Sequence, residues 1–462
     1  MPRIRSEHLF IILTLFYIAT LIRLLFYPLN STQSHSNLRQ FNYKIKDLER
    51  LLQEGKNKIA LLQKKLDEIE EKKNASMINT IQRYHPYHIL QSQKFKQSFK
   101  HHSNSQWPYQ IPVLVFVCNR PKAIYNHLKK LLRYRPSAEK FPIIVSQDCD
   151  DSSVKEVIDK FGTEIIYVKH LSSWNAHFTI IPEHKRYITY YRIARHYKLG
   201  LSYVFDKLNY SSVIITEDDL DIASDFFEYF SATRSLLDTD KTLYCISAWN
   251  DNGKDYLIDK KQPELLYRSD FFSGLGWMMT RELWNELGPI WPNGFWDDWI
   301  RNNTIRKNRA CIRPEISRTG MTIEGKKGAS RGLFFTQHLA KILLNEIFVN
   351  FTKLNLRYLL KENYDHTFLQ RVYSAPLISS VEMLPKEVIT PASNVVRIQY
   401  TTLENYLRIA DQLKIMRDFK DGVPRTAYLG VITCFINGVR IYIAPDWNIW
   451  SGYNSNWEAS SE

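Results

Sequence analysis

Val213-Ile214-Ile215-Thr216-Glu217-Asp218-Asp219 is the stretch on which the reading of this chain turns. Four β-branched residues in a row predict a strand buried on both faces, and the run stops at three consecutive carboxylates. Ligands of open α/β sheets bind just beyond the carboxyl ends of such strands. Three acids there repel one another unless a cation or hydrogen-bond donors share the site. Hard divalent cations such as Mg2+ and Mn2+ take carboxylate oxygens and bridge to phosphate. The triplet is therefore a candidate metal and phosphate site. Taken alone it competes with a plainer reading, an acidic turn capping the next helix.

Working outward, strands and helices alternate. A strand at 111–117 leads through a turn at Asn119-Arg120-Pro121 into a helix ending near Leu132. A strand at 142–147 precedes an amphipathic helix at 152–161 and a strand at 164–168. A helix containing 190–205 then feeds the strand before Glu217. This order predicts an α/β fold with a mostly parallel central sheet. After about Asn355 the character changes. Segments 395–400, 430–436 and 439–444 read as antiparallel strands, with Asn437-Gly438 a hairpin signal, and predict a smaller C-terminal domain.

At 462 residues the chain exceeds a single-core length. Its formal charge of +14 raises nucleic acid as a partner. No zinc-finger spacing or ribonucleoprotein motif is present, however, and the lysines are interspersed with acids, so nucleic acid is excluded. Arg3 and Arg5 precede an apolar run from Leu9 to Tyr27, about the length that crosses a bilayer. No small-x-small cleavage site follows, which favours an uncleaved anchor with a cytosolic tail over a signal peptide. Sequons at Asn30, Asn74, Asn209, Asn302 and Asn350 agree with a lumenal chain, as do five cysteines. Cys118 and Cys149 each follow a strand-like run; if those strands are parallel neighbours, a bridge is geometrically reasonable. Cys245 and Cys311 are the next pair, leaving Cys434 over, although sequence alone leaves the connectivity open. Ile45, Leu48, Leu52, Gly55, Ile59, Leu62, Leu66 and Ile69 hold a/d heptad positions. They predict a coiled-coil stem and a homodimer contact, followed by a His-, Gln- and Ser-rich tether at 85–105.

Further motifs then line up in order: Val145-Ser146-Gln147-Asp148-Cys149, Tyr190-Tyr191-Arg192-Ile193-Ala194-Arg195-His196-Tyr197, Ser247-Ala248-Trp249-Asn250-Asp251-Asn252-Gly253, Gly274-Leu275-Gly276-Trp277, Phe295-Trp296-Asp297-Asp298-Trp299 and Arg313-Pro314-Glu315-Ile316-Ser317-Arg318-Thr319. With the acid triplet and Gly328-Ala329-Ser330, they closely resemble the N-acetylglucosaminyltransferase I family (glycosyltransferase family 13). The resemblance runs from about Ile111 to the C-terminus. It implies a GT-A fold, an inverting Mn2+-dependent enzyme, UDP-GlcNAc as donor, and the α1,3-linked mannose of a high-mannose N-glycan as acceptor. It also implies a single-pass type II Golgi membrane protein with a lumenal catalytic domain. The expected segments are a tail (1–7), an anchor (8–28), a stem (29–105) with its coil at 45–73, a donor-binding catalytic domain (106–324), a mobile loop and linker (325–358) and the C-terminal domain (359–462).

Carried over position by position, the resemblance makes Asp219 the direct Mn2+ ligand. Asp218 would hold the ribose, and Glu217 the sugar or a water on the metal. Arg120, Asp148 and His196 match donor-binding positions, with Asp148 at the uracil. Trp296 and the backbone at Leu275 would line the GlcNAc pocket, Ser330 would meet the phosphates, and Asp297 would be the catalytic base. The chemistry agrees. A mannose hydroxyl is a weak nucleophile whose proton a carboxylate must take, and the aromatics beside Asp297 are expected to desolvate it and raise its basicity. The glycine-rich stretch 325–332 supplies flexibility and backbone N–H groups for phosphate, but its spacing is not that of a P-loop. It departs from the family pattern, with Gly320 and Glu324 as additional residues and Ala329 in place of a larger aliphatic. Two alternatives differ in class. Enzymes acting on O-linked mannose carry an extra stem domain, for which the residues before Ile111 leave no room. A non-catalytic glycan-binding paralogue would not need the triplet and Asp297 intact.

Overall fold

Strand β1 (Val113–Val117) is buried along its whole length and lies between two parallel partners, β2 (Ile143–Gln147) and β4 (Ser212–Glu217). β3 (Ile166–Lys169) pairs parallel with β2 at the edge. Beyond β4 the order continues through β8 (Trp277–Thr280), β6 (Leu243–Ser247), β9 (Ala310–Pro314) and β7 (Leu266–Ser269). The pairs β3·β2, β2·β1, β1·β4 and β6·β9 are parallel, whereas β4·β8, β8·β6 and β9·β7 are antiparallel. The sheet is thus mixed, and its parallel half is the half that leads into the acid triplet. The description is of a computed structural model and covers Gln53 and residues 109–172, 178, 180–328, 332–384 and 394–458. The expected anchor, the stem and coil apart from Gln53, and Ser330 lie outside the described residues. Among the described residues no helix is long and apolar enough to cross a membrane.

Helix α1 (Pro121–Tyr134) starts on a proline, which has no N–H to leave unpaired at that position. It buries Ala123, Ile124, His127, Leu128 and Leu131, one face at helical spacing. Helix α2 (Ser152–Asp159) is capped by Asp151, whose side chain accepts from the Val154 amide at 3.0 Å. Helix α3 (Ile188–Ser202) is shorter than expected, because the chain loosens into a π turn at Tyr203–Lys207. β3 begins later than expected, since Gly162 takes a left-handed φ of +52° and residues Gly162–Glu164 form a 3-10 turn.

Both expected disulfides are present. Cys118–Cys149 ties the ends of β1 and β2, with Cα atoms 5.1 Å apart. Cys245–Cys311 joins residues facing each other in register on β6 and β9. Cys434 is free and buried.

The C-terminal strands form a second sheet in the order β11 (Leu377–Ile378), β12 (Val395–Tyr400), β16 (Val439–Pro445) and β15 (Ile432–Ile436). The expectation of three antiparallel strands is corrected here. β15 and β16 form the antiparallel hairpin, with Asn437 and Gly438 at φ +51° and +82° as a primed turn requires. β12, however, runs parallel to β16. After β12 the chain turns back through a helix, Leu403–Leu413, which packs Tyr406, Ile409, Ala410 and Leu413 into the core. A helical connection of this kind is what parallel pairing needs.

α3 approaches β1 at Gly200, where an added Cβ would lie 2.6 Å from the Phe116 ring. That ring is itself stacked on Tyr197 at 4.1 Å and cannot swing aside. Gly200→Ala should therefore lower the melting temperature even though alanine favours a helix by about 1 kcal/mol, because overpacking costs roughly 1–3 kcal/mol. Thermal denaturation checks this, and a raised melting temperature would mean the ring yields.

Candidate active site

The first four strands lie in the order β3-β2-β1-β4. The order reverses between β1 and β4, which is where doubly wound sheets open a ligand crevice. The carboxyl ends of β1, β2 and β4 place Arg120, Asp148 and the Glu217-Asp218-Asp219 triplet around one cavity of about 700 Å3, which His196 and Tyr197 from α3 also line.

Arg120 answers the question the triplet poses. Its Nε donates to Asp218 at 3.2 Å, its Nη2 pairs with the other Asp218 oxygen, and its Nη1 donates to Asp219 at 2.7 Å. Asp218 and Asp219 are both buried. Glu217 accepts instead from the Tyr197 hydroxyl at 2.7 Å. Burial, reinforced by the charge of Asp219, pushes the Glu217 carboxyl up to about 7. Burial likewise raises Asp218 to about 7, against the pull of Arg120. Beneath the turn, His127 of α1 bonds the Leu220 carbonyl through Nδ1 at 2.7 Å and Thr216 Oγ1 through Nε2 at 2.9 Å. Burial lowers this histidine to about 4, so it is neutral and braces both ends of the turn.

One guanidinium against three carboxylates leaves two negative charges when all three are ionised, the charge a divalent cation balances. Oxygen donors suit a hard cation. The only group of three candidate ligands converging among the described residues is Cys118, Asp148 and Cys149, and both cysteines are spent in a disulfide. The triplet itself does not aim three carboxylates at one point.

Asp148 is buried beside His196, whose Nδ1 lies 3.5 Å from its Oδ1. Ser146 Oγ sits 2.9 Å from His196 Nε2 and 2.9 Å from His170 Nε2. Burial lowers His196 to about 3 and His170 to about 4, so both rings are neutral. Sequence reasoning missed His170; its position one residue past β3 was the available signal.

A second cavity of about 280 Å3 shares Ile193, Glu217, Asp219 and Gly328 with the first and is further lined by Leu275, Trp296 and Asp297. Trp296 opens the short helix α4 (Trp296–Arg301) and is stacked on Tyr197 at 4.2 Å and on Trp291 at 5.8 Å. The Leu275 carbonyl accepts from Thr319 Oγ1 at 2.5 Å. Asp297 pairs with Arg301 at 3.1 Å, and Asp298 meets the same guanidinium at 3.2 Å. The desolvation expected at Asp297 is not found: its side chain is 40 % exposed, because the indole of Trp296 packs inward while the carboxylate faces the cavity. Arg301, Ser273 and Arg425, which no motif had marked, also line this cavity, as does Asp251 of the quoted Ser247–Gly253 motif. Gly320, read as an additional loop residue, is part of strand β10 (Thr319–Met321), opposite Asp221 of β5 (Leu220–Ile222). Glu324 lies in the turn Ile323–Lys327, and its carbonyl faces Arg120 Nη1 at 3.4 Å.

The GNT-I family model matches residues 9–457. An Arabidopsis thaliana protein, alpha-1,3-mannosyl-glycoprotein 2-beta-N-acetylglucosaminyltransferase, is 41% identical over 341 residues, covering 72% of this chain and 74% of that protein. Among solved structures, the mannosyltransferase PcManGT from Pyrobaculum calidifontis in complex with GDP-Man and Mn2+ aligns at TM-score 0.28 and 14% identity, over 39% of this chain and 47% of that one. S. aureus TarS 1-349 aligns at 0.33 and 11%, over 47% and 62%. At those scores the structural likeness has no bearing on the site.

The raised carboxyls carry a sign. An unfolded glutamate loses its proton near about 4.3, whereas folded Glu217 holds it to about 7. The folded state binds more protons in that window, so stability falls as pH rises through it. Glu217→Gln keeps an acceptor for Tyr197 and cannot ionise. In metal-free protein it should melt above wild type at about pH 8 and converge with it below about pH 4. Equal melting temperatures across the range would mean that Glu217 is solvated.

Proposed function

The chain belongs to the GNT-I family, and on that premise we propose that it transfers GlcNAc from UDP-GlcNAc, in β1,2 linkage and with inversion, to the α1,3-linked mannose of a high-mannose N-glycan. That transfer starts hybrid and complex N-glycan synthesis. The observation that carries the reading is the pair of adjoining cavities with Glu217 and Asp219 in their common wall. One is large enough for a nucleotide sugar and the other presents Asp297.

Asp148, oriented by His196, takes the uracil, Asp218 the ribose and Arg120 the neighbouring negative charge. Glu217, Trp296 and the backbone at Leu275 hold the GlcNAc ring, and Ser330 reaches the diphosphate. Asp219 would hold Mn2+, and a cation bound there would supply Lewis-acid neutralisation of the negative charge on UDP. The acceptor hydroxyl enters the smaller cavity and gives its proton to Asp297. Its oxygen bonds to C1 of GlcNAc while the bond from C1 to the UDP oxygen breaks. A single in-line displacement inverts the anomeric centre and needs no enzyme nucleophile. Arg301 holds the Asp297 carboxylate in place. The proposed address is a type II Golgi membrane protein, supported by the basic residues flanking the apolar run at 9–27 and by the downstream sequons.

The test is turnover of UDP-GlcNAc by the full chain with a Man5 N-glycan and an O-mannosyl peptide as separate acceptors. Product from the glycan alone supports the reading; product from the peptide alone moves the acceptor, and no product from either ends it.

Two variants probe the roles. Asp219→Ala should abolish Mn2+-dependent UDP binding while the fold persists, and unchanged Mn2+·UDP affinity in calorimetry would overturn the metal assignment. Asp297→Asn should cut kcat by roughly 10²–10⁴-fold with nearly unchanged UDP-GlcNAc affinity, the pattern of a lost transition-state interaction. Asp298→Asn is the control and should lose less. A dead Asp298→Asn beside a near-normal Asp297→Asn would move the base one residue along.

A further inference from the structure

The smaller cavity has an aromatic wall built on two stacked side chains. Tyr190, near the start of α3, and Phe295, immediately before α4, both line it together with Asp297, and neither lines the larger cavity. The two rings are stacked, with centroids 4.9 Å apart and planes 15° from parallel. Both residues are half-buried rather than closed into the core. Three more rings brace the stack through edge contacts to Phe295: His184 at 5.1 Å, Tyr187 at 5.8 Å and Tyr191 at 6.0 Å.

Phe295 is held in a conformation that a bulky residue avoids, with φ at +52°. Glycine or asparagine would adopt that backbone with little strain. The chain instead keeps a phenyl ring there, two residues before Asp297. Strain maintained by surrounding structure points to a use for the side chain. The ring is not needed to fill a closed interior, since it is half-exposed and borders a cavity.

We propose that Tyr190, braced by Phe295, is the platform on which the acceptor mannose stacks so that its hydroxyl reaches Asp297. The inference rests on the transfer to a mannoside proposed above and adds residues that position the acceptor. A pyranose presents a face of polarised C–H bonds, and an aromatic face carries the negative side of a quadrupole, so the two attract while water is displaced from both. The sugar rim remains free to hydrogen-bond the polar residues of the same cavity, Asp251, Ser273 and Arg425. The proximity of ring and base is also felt electrostatically: burial, then the charges of Asp297 and Asp298, raise the Tyr190 phenol above its ordinary value.

The experiment compares wild type, Tyr190→Leu, Tyr190→Phe and Phe295→Leu in the full chain. It reads acceptor KM, donor KM and, by calorimetry with UDP and Mn2+ present, binding of the Man5 glycan itself. Tyr190→Leu and Phe295→Leu should raise acceptor KM by roughly three- to tenfold and weaken glycan binding in step, with donor KM within about twofold of wild type. Tyr190→Phe, which keeps the ring, should recover most of the loss. An unchanged acceptor KM in folded Tyr190→Leu overturns the platform, and so does an equal rise in donor KM, which marks a merely structural residue. Tyr190→Met replaces Tyr190→Leu if the latter does not fold. An inactive wild type that binds Man5, with binding lost in Tyr190→Leu, would retain the platform and end the transfer reading. An active wild type with Tyr190→Leu unaffected would do the reverse, and a wild type that neither binds nor transfers would end both.

Discussion

A single guanidinium set between two buried carboxylates is the interaction on which the site depends. Arg120 follows β1 and Asp218 and Asp219 follow β4, so the ion pairs clamp together the two strand ends between which the crevice opens. Removing one partner of a buried pair commonly costs about 3–5 kcal/mol, because the other charge is left uncompensated. The compensation is deliberately incomplete. Glu217 keeps its proton far above the usual carboxylate range, held up by burial and by Asp219. A turn in this state has stability to gain from an incoming cation.

Around that clamp the fold supplies rigidity from both sides. The disulfide Cys118–Cys149 fixes two residues of the larger cavity beside Arg120 and Asp148. On the far side, Arg318 and Asp225 form an ion pair with no exposed surface, and Asn345 and the Val349 amide also reach the Asp225 carboxylate. Arg440 of β16 pairs with Glu315, just past β9, at 2.9 Å. The second sheet is thereby tied to the strand that leads into β10 and the loop over the site. Buried pairs of this kind add little net stability over apolar packing, but they specify which elements meet.

The two cavities differ in their chemistry. The larger one carries charge, with neutral His196 beside Asp148 and Arg120 holding Asp218 and Asp219. The smaller one is bordered by aromatic rings, with Trp296 stacked inward and Asp297 facing out on the next residue of one helical turn. Adjacent residues on a helix point about 100° apart, so a single Trp-Asp step serves the packing and the chemistry at once.

The βαβ order, the buried strand before Glu217 and the Asn437-Gly438 hairpin were legible in the chain itself, because hydrophobic periodicity and turn chemistry are local properties, whereas the cysteine connectivity was settled only by which strands pair. The acid triplet was legible in the same way, as the end of a buried strand, while Arg120, Asp148, His196, Trp296 and Asp297 were legible only through the ordered motifs and the family they resemble. Tertiary structure alone decided the rest. The parallel pairing of β12 with β16 depends on a return helix whose docking no local window contains. The half-exposed state of Asp297 and its pairing with Arg301 follow from which way the Trp296 indole packs. The neighbours His170, Asp251 and Arg425 reach the site from segments far apart in sequence. Periodicity reports what one segment buries; which distant charges and rings share a cavity is set only when those segments pack, because Coulombic and van der Waals contacts depend on distance in space and not along the chain.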